Sequence, residues 1–175
     1  MAGVIMGIMT RRTVLLQALA STPADIRRLI RPLDDEASDW KASVDAWSPM
    51  DVVNHLIDVE HACVARLQRV LAEHEPALPC IHPDVPPRKT GLSLSQAGDT
   101  FLQAREATLE MLRRLTPGQW QRAAIHETKG RTTLRFLIQD LVDHDIEHTN
   151  QLVEITQSRR AAIKRVRAGS ASLPS

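Results

Sequence analysis

The chain has 175 residues, 43% of them hydrophobic and 25% charged, which suits a single domain with a sizeable core. A formal net charge of +1 and apolar stretches far shorter than the roughly 20 residues of a membrane span argue against a nucleic-acid-coating or transmembrane protein. Two cysteines, Cys63 and Cys80, fit the reducing cytoplasm, and an aromatic content of 3% without tyrosine favours an all-α fold.

The N-terminal segment has two interpretations. Residues 1–10 are predicted to be a loose leader, followed by helix A from about Arg11 to Arg31. Two arginines, Arg11 and Arg12, precede a short apolar run and small residues, as in a twin-arginine export signal. A helix is the preferred interpretation because apolar residues continue at three-to-four spacing to Ile30, and cleavage would delete a helix that the domain needs.

Helix B has the clearest start in the chain. Ser48 is predicted as its N-cap, Pro49 as its first residue and Asp51 as the partner of Ser48 in a capping box. The helix is predicted to reach about Glu73. The segment 75–90 contains five prolines and is therefore predicted to be an extended crossover.

Two further helices complete the predicted domain. Helix C is predicted to begin at Ser93, with Gln96 as its capping-box partner, and to end before Thr116. Helix D is predicted from about Thr132 to Arg160. Four helices with one long connection predict a four-helix bundle. Because the crossover can travel the length of helix B, helices B and C can lie parallel instead of forming a tight hairpin.

The C-terminal segment is strongly basic. We place the domain at residues 11–160 and a basic, disordered tail at 161–175. From Arg159 to Ser175 there are five basic residues and no acidic residue. One interpretation is a helix end whose cations complement the helix dipole before a Ser/Ala tail begins. The other is an electrostatic contact with an acidic partner or nucleic acid.

Three histidines are candidate ligands of one metal ion. His144 and His148 lie four residues apart in helix D, so both project from one face. His148 falls within the apolar stripe of that helix, and His144 lies about 60° from its centre. His55 lies roughly 75° from the centre of the helix B stripe. If helices B and D are antiparallel, all three meet towards one end of the bundle.

Asp145 also falls within the apolar stripe of helix D, where a carboxylate is costly without a partner. It either accepts an imidazole N–H and fixes the tautomer of a ligand, or forms a buried salt bridge with an arginine. Cys63 lies on the apolar stripe of helix B and is predicted to be a buried structural thiol. Cys80 lies in the crossover, away from the candidate ligands.

The other histidines receive no ligand role. His61 points away from the core stripe of helix B, towards solvent. His74 and His82 flank or occupy the proline-rich segment and are predicted to be solvated. His126 lies in the connection between helices C and D, where we predict a surface role, with a position at the site mouth as the alternative.

Three segments together resemble the DinB-like (YfiT-related) superfamily: Trp47-Ser48-Pro49, His55-Leu56-Ile57-Asp58-Val59-Glu60 and His144-Asp145-Ile146-Glu147-His148-Thr149-Asn150-Gln151-Leu152. Gly130 before Thr133-Leu134 is also similar to the family's approach to its last helix. The resemblance covers essentially the whole chain, from helix A to about Arg159. The joint pattern of His and His-x-x-x-His with these neighbours is fairly specific, whereas no single segment would be.

The resemblance implies a four-helix bundle of up-down-down-up topology and often a homodimer. It also implies a divalent metal ion, commonly zinc or nickel, held by His55, His144 and His148. Family members with assigned reactions include thiol-dependent S-transferases, maleylpyruvate isomerases that use a low-molecular-weight thiol, and a domain of ergothioneine-synthesis enzymes.

Three functions are open at this point. Three neutral imidazoles leave free coordination positions on a divalent ion, as in catalytic sites. The leading hypothesis is a metal-dependent transferase that activates a low-molecular-weight thiol towards a small-molecule substrate. A metal-dependent hydrolase would instead turn over an ester or amide without thiol. A non-enzymatic, stress-associated metal-binding or dimerising bundle would be favoured if side chains fill the space between helices B and D.

Overall fold

The computed structural model describes residues 10–81 and 91–170. The helices are α1 (Arg11–Ile30), α2 (Asp35–Ser38), α3 (Pro49–Ala72), α4 (Leu94–Arg114), α5 (Pro117–Trp120) and α6 (Leu134–Ser170). The predicted helices A, B, C and D correspond to α1, α3, α4 and α6. Residues 1–9, residues 82–90 with His82, and residues 171–175 lie outside the described part of the chain. Within the described part, no helix is both long and apolar enough to cross a membrane.

Both predicted capping boxes are confirmed. Ser48 Oγ accepts the backbone N–H of Asp51 at 3.1 Å, and the Asp51 carboxylate accepts the N–H of Ser48 at 2.9 Å. Ser93 and Gln96 form the equivalent pair at the start of α4, with distances of 3.3 and 2.9 Å. These reciprocal bonds satisfy N–H groups that have no partner inside the first helical turn, so they fix where α3 and α4 begin.

The four long helices form the predicted bundle around two apolar clusters. The first cluster joins the start of α1, the ends of α3 and α4, and the start of α6, and contains Leu15, Leu19, Leu67, Val70, Leu109, Leu112, Leu134 and Ile138. The second joins the opposite ends of the same helices, and contains Ile26, Ile30, Val52, Val53, Leu94, Ala97 and Leu152. The helices α3 and α4 therefore run parallel to each other and antiparallel to α1 and α6, which gives the up-down-down-up topology.

A small sheet lies in the connections, where the sequence analysis predicted no strand. Strand β1 (Ala77–Leu78) pairs in parallel with β2 (Ala123–His126), and β2 pairs antiparallel with β3 (Gly130–Thr133). Gly130 closes the β2–β3 turn with a φ of 68°, a left-handed conformation that glycine adopts without strain. Strands of two to four residues are too short to show a reliable period of two, which explains the omission. The other regular elements of residues 10–81 and 91–170 are helices.

The last helix is longer than predicted. The sequence analysis ends helix D near Arg160 and begins a disordered tail at residue 161, but α6 continues to Ser170. Alanines and long unbranched basic residues, which are good helix formers, continue the helix after Arg160. Arg159, placed where this extension begins, lies 3.5 Å from the Asp34 carboxylate beside α2.

Candidate metal centre

The three predicted ligands meet between α3 and α6. His55 lies in the second turn of α3, and His144 and His148 lie one turn apart on α6. Nε2 of His144 is 2.9 Å from Nε2 of His55 and 3.1 Å from Nε2 of His148. One nitrogen from each ring lies within 4.8 Å of the others. The antiparallel course of α3 and α6 thus brings together residues that lie 89 positions apart in the chain.

The arrangement of these nitrogens fits a divalent cation. Zinc–imidazole bonds of about 2.0–2.1 Å in tetrahedral geometry place ligand nitrogens roughly 3.3 Å apart, close to the two separations observed. Hydrogen bonds donated by His144 cannot account for both short contacts, because a single N–H on its Nε2 can be donated to only one of the two neighbouring rings. A metal ion would accept a lone pair from all three rings at once.

Gln151 orients one of the three rings. Nδ1 of His148 lies 2.7 Å from Oε1 of Gln151, three residues further along α6. With the amide oxygen as acceptor, His148 carries its proton on Nδ1 and directs the lone pair of Nε2 towards the cluster. Nδ1 of His144, by contrast, is buried and has no hydrogen-bond partner within the described residues. The contacts that orient this ring are therefore those of its Nε2 with His55 and His148, together with packing.

The sequence analysis missed the role of Gln151, although an i,i+3 pair on a helix is close enough to bond. It also gave Trp47 no role beyond the family pattern. The indole stacks on His148 with an interplanar angle of 4° and a centroid distance of 5.7 Å. It meets His55 edge-on at 4.9 Å. Trp47 therefore supports two of the three candidate ligands from the loop that precedes α3.

The histidine cluster favours neutral rings. Burial lowers the pKa of His55 to about 4, helped by the charge of His148 and opposed by Asp58. Burial lowers the pKa of His144 to about 3, and repulsion from His148, His55 and Arg105 acts in the same direction. Both rings are therefore unprotonated at neutral pH, which is the form that binds a metal ion.

Asp145 forms a buried salt bridge with an arginine, which is the second of its two predicted roles, and its carboxylate does not accept an imidazole N–H within the described part of the chain. Its carboxylate receives Nη1 and Nη2 of Arg105 at 2.5 and 2.9 Å and the hydroxyl of Thr22 at 2.9 Å. Arg105 also contacts Glu60, with Nε 2.8 Å from the carboxylate, and Thr108 donates to Glu60 at 2.6 Å. The sequence indicates such a network in one way only, by placing charged residues on the apolar stripes of three helices.

This buried network joins the helices that carry the site. Arg105 and Glu60 have no exposed surface, and Asp145 is 2% exposed. Burial opposes the charge of Arg105, but the hydrogen bonds and charges of Asp145 and Glu60 raise its pKa. Arg105 additionally donates to the backbone oxygen of Leu19 in α1 at 3.1 Å. One arginine of α4 therefore ties α1, α3 and α6 together directly beside His144.

Two cavities adjoin the histidine cluster. The Trp47 cavity, of about 910 Å³, is lined by all three histidines together with Trp47 and Gln151. The Arg66 cavity, of about 430 Å³, is lined by apolar residues of α3 and α6 and by Arg66, Cys80, His126, Lys129 and His144. Both volumes suit small organic molecules. His144 belongs to the walls of both cavities, so the histidine cluster stands at their boundary.

The histidines outside the cluster and the two cysteines lie partly where the sequence predicts. His61 and His74 are exposed and Cys63 is buried, as predicted, and burial raises the pKa of the Cys63 thiol to about 12. The surface role predicted for His126 is wrong, since this residue is only 6% exposed and lines the Arg66 cavity. Cys80 is likewise nearer the site than predicted, because β1 pairs with β2 and draws the crossover towards α6.

The chain belongs to the DinB superfamily, whose model matches residues 18–152. YfiT from Bacillus subtilis, described as a probable metal-dependent hydrolase with an unusual four-helix bundle topology, has a similar structure. The likeness has a TM-score of 0.76 and 22% identity, and covers 92% of this chain and 94% of YfiT. The DinB-like protein YjoA from the same organism matches with a TM-score of 0.60 and 16% identity, over 85% of this chain and 92% of YjoA. No curated protein sequence matches significantly.

Proposed function

We propose that the protein is a metal-dependent transferase that joins a low-molecular-weight thiol to a small electrophilic substrate. The observation that carries this proposal is the position of His144, whose ring belongs to the histidine cluster and to the walls of both cavities. A two-reactant reaction needs two binding spaces that meet at the reacting atoms. The space between α3 and α6 is open, which disfavours the non-enzymatic alternative.

The residues that would hold the ion are His55, His144 and His148, which supply one ring nitrogen each. Bound there, zinc or nickel would lower the pKa of a thiol or water at an open position, making it nucleophilic near neutral pH. Gln151 holds the His148 ring in the required tautomer, and Trp47 packs against two of the rings. Both contacts limit ring rotation and keep the three nitrogens converged.

The reaction proposed is a substitution or addition at an electrophilic carbon. In a substitution, the thiol loses its proton, the sulfur forms a bond to carbon, and the leaving group departs with its electron pair. In an addition, the sulfur forms a bond to one carbon of a double bond, and the atom that receives the electron pair of that bond takes up a proton from solvent. Glu147 lies on the shared wall of the two cavities and is exposed, so its carboxylate can accept the thiol proton and pass it to water. No side-chain nucleophile is required by this scheme.

Metal-dependent hydrolysis is the second candidate. The likeness to YfiT, described as a probable metal-dependent hydrolase, favours it. The same histidine cluster could serve water instead of a thiol, and one of the two cavities would then hold the whole substrate. The two candidates therefore differ in whether turnover depends on added thiol.

The experiment compares the zinc- and nickel-loaded protein in two assays. In the first, cysteine or glutathione is incubated with chlorodinitrobenzene, and thioether formation is followed. In the second, nitrophenyl esters are supplied without thiol. The transferase proposal expects thiol-dependent turnover that is lost in His144→Ala and kept in His61→Ala, a control on an exposed histidine of α3. Ester hydrolysis with no thiol-dependent reaction would replace it with the hydrolase candidate.

A further inference from the structure

The Arg66 cavity contains hydrogen-bond donors that the proposed reaction does not use. The guanidinium of Arg66 donates to the backbone oxygen of Pro79 and forms no ion pair within residues 10–81 and 91–170. A guanidinium has five N–H groups, so most of its donors are left over. Arg66 is half-buried, and burial lowers its pKa. A partly desolvated cation with spare donors is suited to a bidentate contact with a carboxylate.

His126, at the end of β2, supplies a second donor to the same cavity. Its Nδ1 accepts the backbone N–H of Thr128 at 3.3 Å, so the neutral ring must carry its proton on Nε2. This Nε2–H has no hydrogen-bond partner among the described residues, although His126 is only 6% exposed. Burial and the charges of Arg66 and Lys129 lower the pKa of His126, which keeps the ring neutral.

Three carboxylates also line this cavity, and the charge of Asp140 acts on both Arg66 and His126. Lys129 forms an ion pair with Asp140, so the two charges offset each other. Asp143 and Glu147 are exposed. The apolar part of the lining includes Val59, Cys63, Leu67, Leu137 and Leu141. The cavity thus combines a half-buried guanidinium, a buried neutral imidazole, apolar walls and His144.

We propose that the Arg66 cavity binds a substrate with an apolar body and a terminal carboxylate, and that Arg66 and His126 are its specificity-determining residues. The carboxylate accepts from the guanidinium and from Nε2–H of His126, while the apolar body lies against Leu67 and Leu141. This orientation directs the opposite end of the molecule towards His144. The reactive role of that end rests on the proposed function, but recognition of the carboxylate does not.

The test measures binding of simple probes by calorimetry, with and without bound zinc. Hexanoate is compared with hexylamine, which has the same apolar body and the opposite charge. Arg66→Met removes the cation, and Arg69→Met is a matched control, since Arg69 lies one turn further on and is paired with Glu73. His126→Asn keeps an acceptor near the position of Nδ1 for Thr128 and removes the Nε2 donor.

We expect saturable hexanoate binding that exceeds hexylamine binding and weakens about tenfold or more in Arg66→Met and in His126→Asn, but not in Arg69→Met. No saturable hexanoate binding, equal binding of hexylamine, or unchanged affinity in both cavity variants would overturn the proposal. If circular dichroism shows that Arg66→Met is unfolded, His126→Asn decides alone. Hexanoate binding without zinc uptake would contradict the metal-dependent function and leave this inference standing. Zinc uptake without hexanoate binding would overturn this inference and leave the metal-dependent function standing.

Discussion

Nδ1 of His148 lies 2.7 Å from Oε1 of Gln151, one helical turn away on the same helix. Both residues line the Trp47 cavity, so this contact lies at the site itself. It gives a ring of the histidine cluster a defined tautomer before any ligand arrives. In metal sites, partners of this kind are worth about 10–100-fold in metal affinity.

Replacing Gln151 should therefore weaken metal binding without unfolding the protein. We expect Gln151→Leu to lower zinc affinity about 10–100-fold, measured by competition with a chromophoric chelator. Gln157→Leu is the matched control, because Gln157 is an exposed residue of the same helix. Equal zinc affinity in Gln151→Leu and the wild type would show that the hydrogen bond does not prepare His148 as a ligand.

The metal-free protein should lose stability in mild acid. The folded state keeps His55 and His144 neutral because their pKa values are lowered to about 4 and about 3, whereas histidines in the unfolded chain titrate near about 6.5. Below that pH the unfolded state binds more protons, so the free energy of unfolding decreases as pH falls from about 6.5 towards about 4. Urea denaturation in the presence of a chelator measures this decrease.

Two variants test the origin of this pH dependence: a double variant at the two buried histidines and a single variant at an exposed one. His55→Gln with His144→Gln should flatten the profile between about pH 6.5 and about pH 4, because neither glutamine titrates. His61→Gln should leave the profile unchanged, since His61 is exposed. A double variant with the wild-type slope would mean that other groups cause the acid sensitivity.

Arg105 should be among the most sensitive residues of the core. Arg105→Met leaves the buried carboxylates of Glu60 and Asp145 without their cation, and we expect a loss of about 3–5 kcal/mol in the free energy of unfolding. Arg27→Met, which removes an exposed partner of Asp99, should cost less than about 1 kcal/mol. Urea denaturation near neutral pH compares the two.

Further substitutions distinguish the stability lost with the charge pairs from the stability lost with packing. Adding Glu60→Gln and Asp145→Asn to Arg105→Met removes both unpaired charges and should recover part of the lost stability. If Arg105→Met costs no more than Arg27→Met, the network contributes little to the fold.

Trp47 should report metal binding by fluorescence. Its ring stacks on His148 at 5.7 Å, so coordination of that imidazole changes the environment of the indole. We expect zinc addition to change the emission of the wild type and to leave that of Trp47→Phe almost unchanged. Trp40→Phe is the control, and it should keep the full response. A zinc response that survives in Trp47→Phe would place the metal away from this ring.

The sequence predicts well those features that depend on neighbouring residues along the chain. The capping box of Ser48 and Asp51 is a local pattern, and helical periodicity places His144 and His148 on one inward face. His55 joins them because the long crossover fixes the directions of the helices. The homodimer implied by the family resemblance and the cytoplasmic location favoured by the two cysteines stay predictions.

The features that the sequence did not reveal depend on contacts between distant segments. Asp145 pairs with Arg105, 40 residues earlier, and periodicity alone does not say which arginine faces a buried acid. His126 becomes part of a cavity only because β2 pairs with both β1 and β3. The sequence predicts an α6 that is too short, because the basic residues after Arg160 indicate a tail by their composition but favour a helix by their propensity.

The central claim is that His55, His144 and His148 bind one divalent ion. Elemental analysis of protein purified without a histidine tag or chelator tests it most directly, beside the same preparation of a His55→Ala, His148→Ala double variant. We predict about one zinc or nickel ion per chain in the wild type and none in the variant. A folded wild type that contains no metal and takes up neither added zinc nor added nickel would contradict the account.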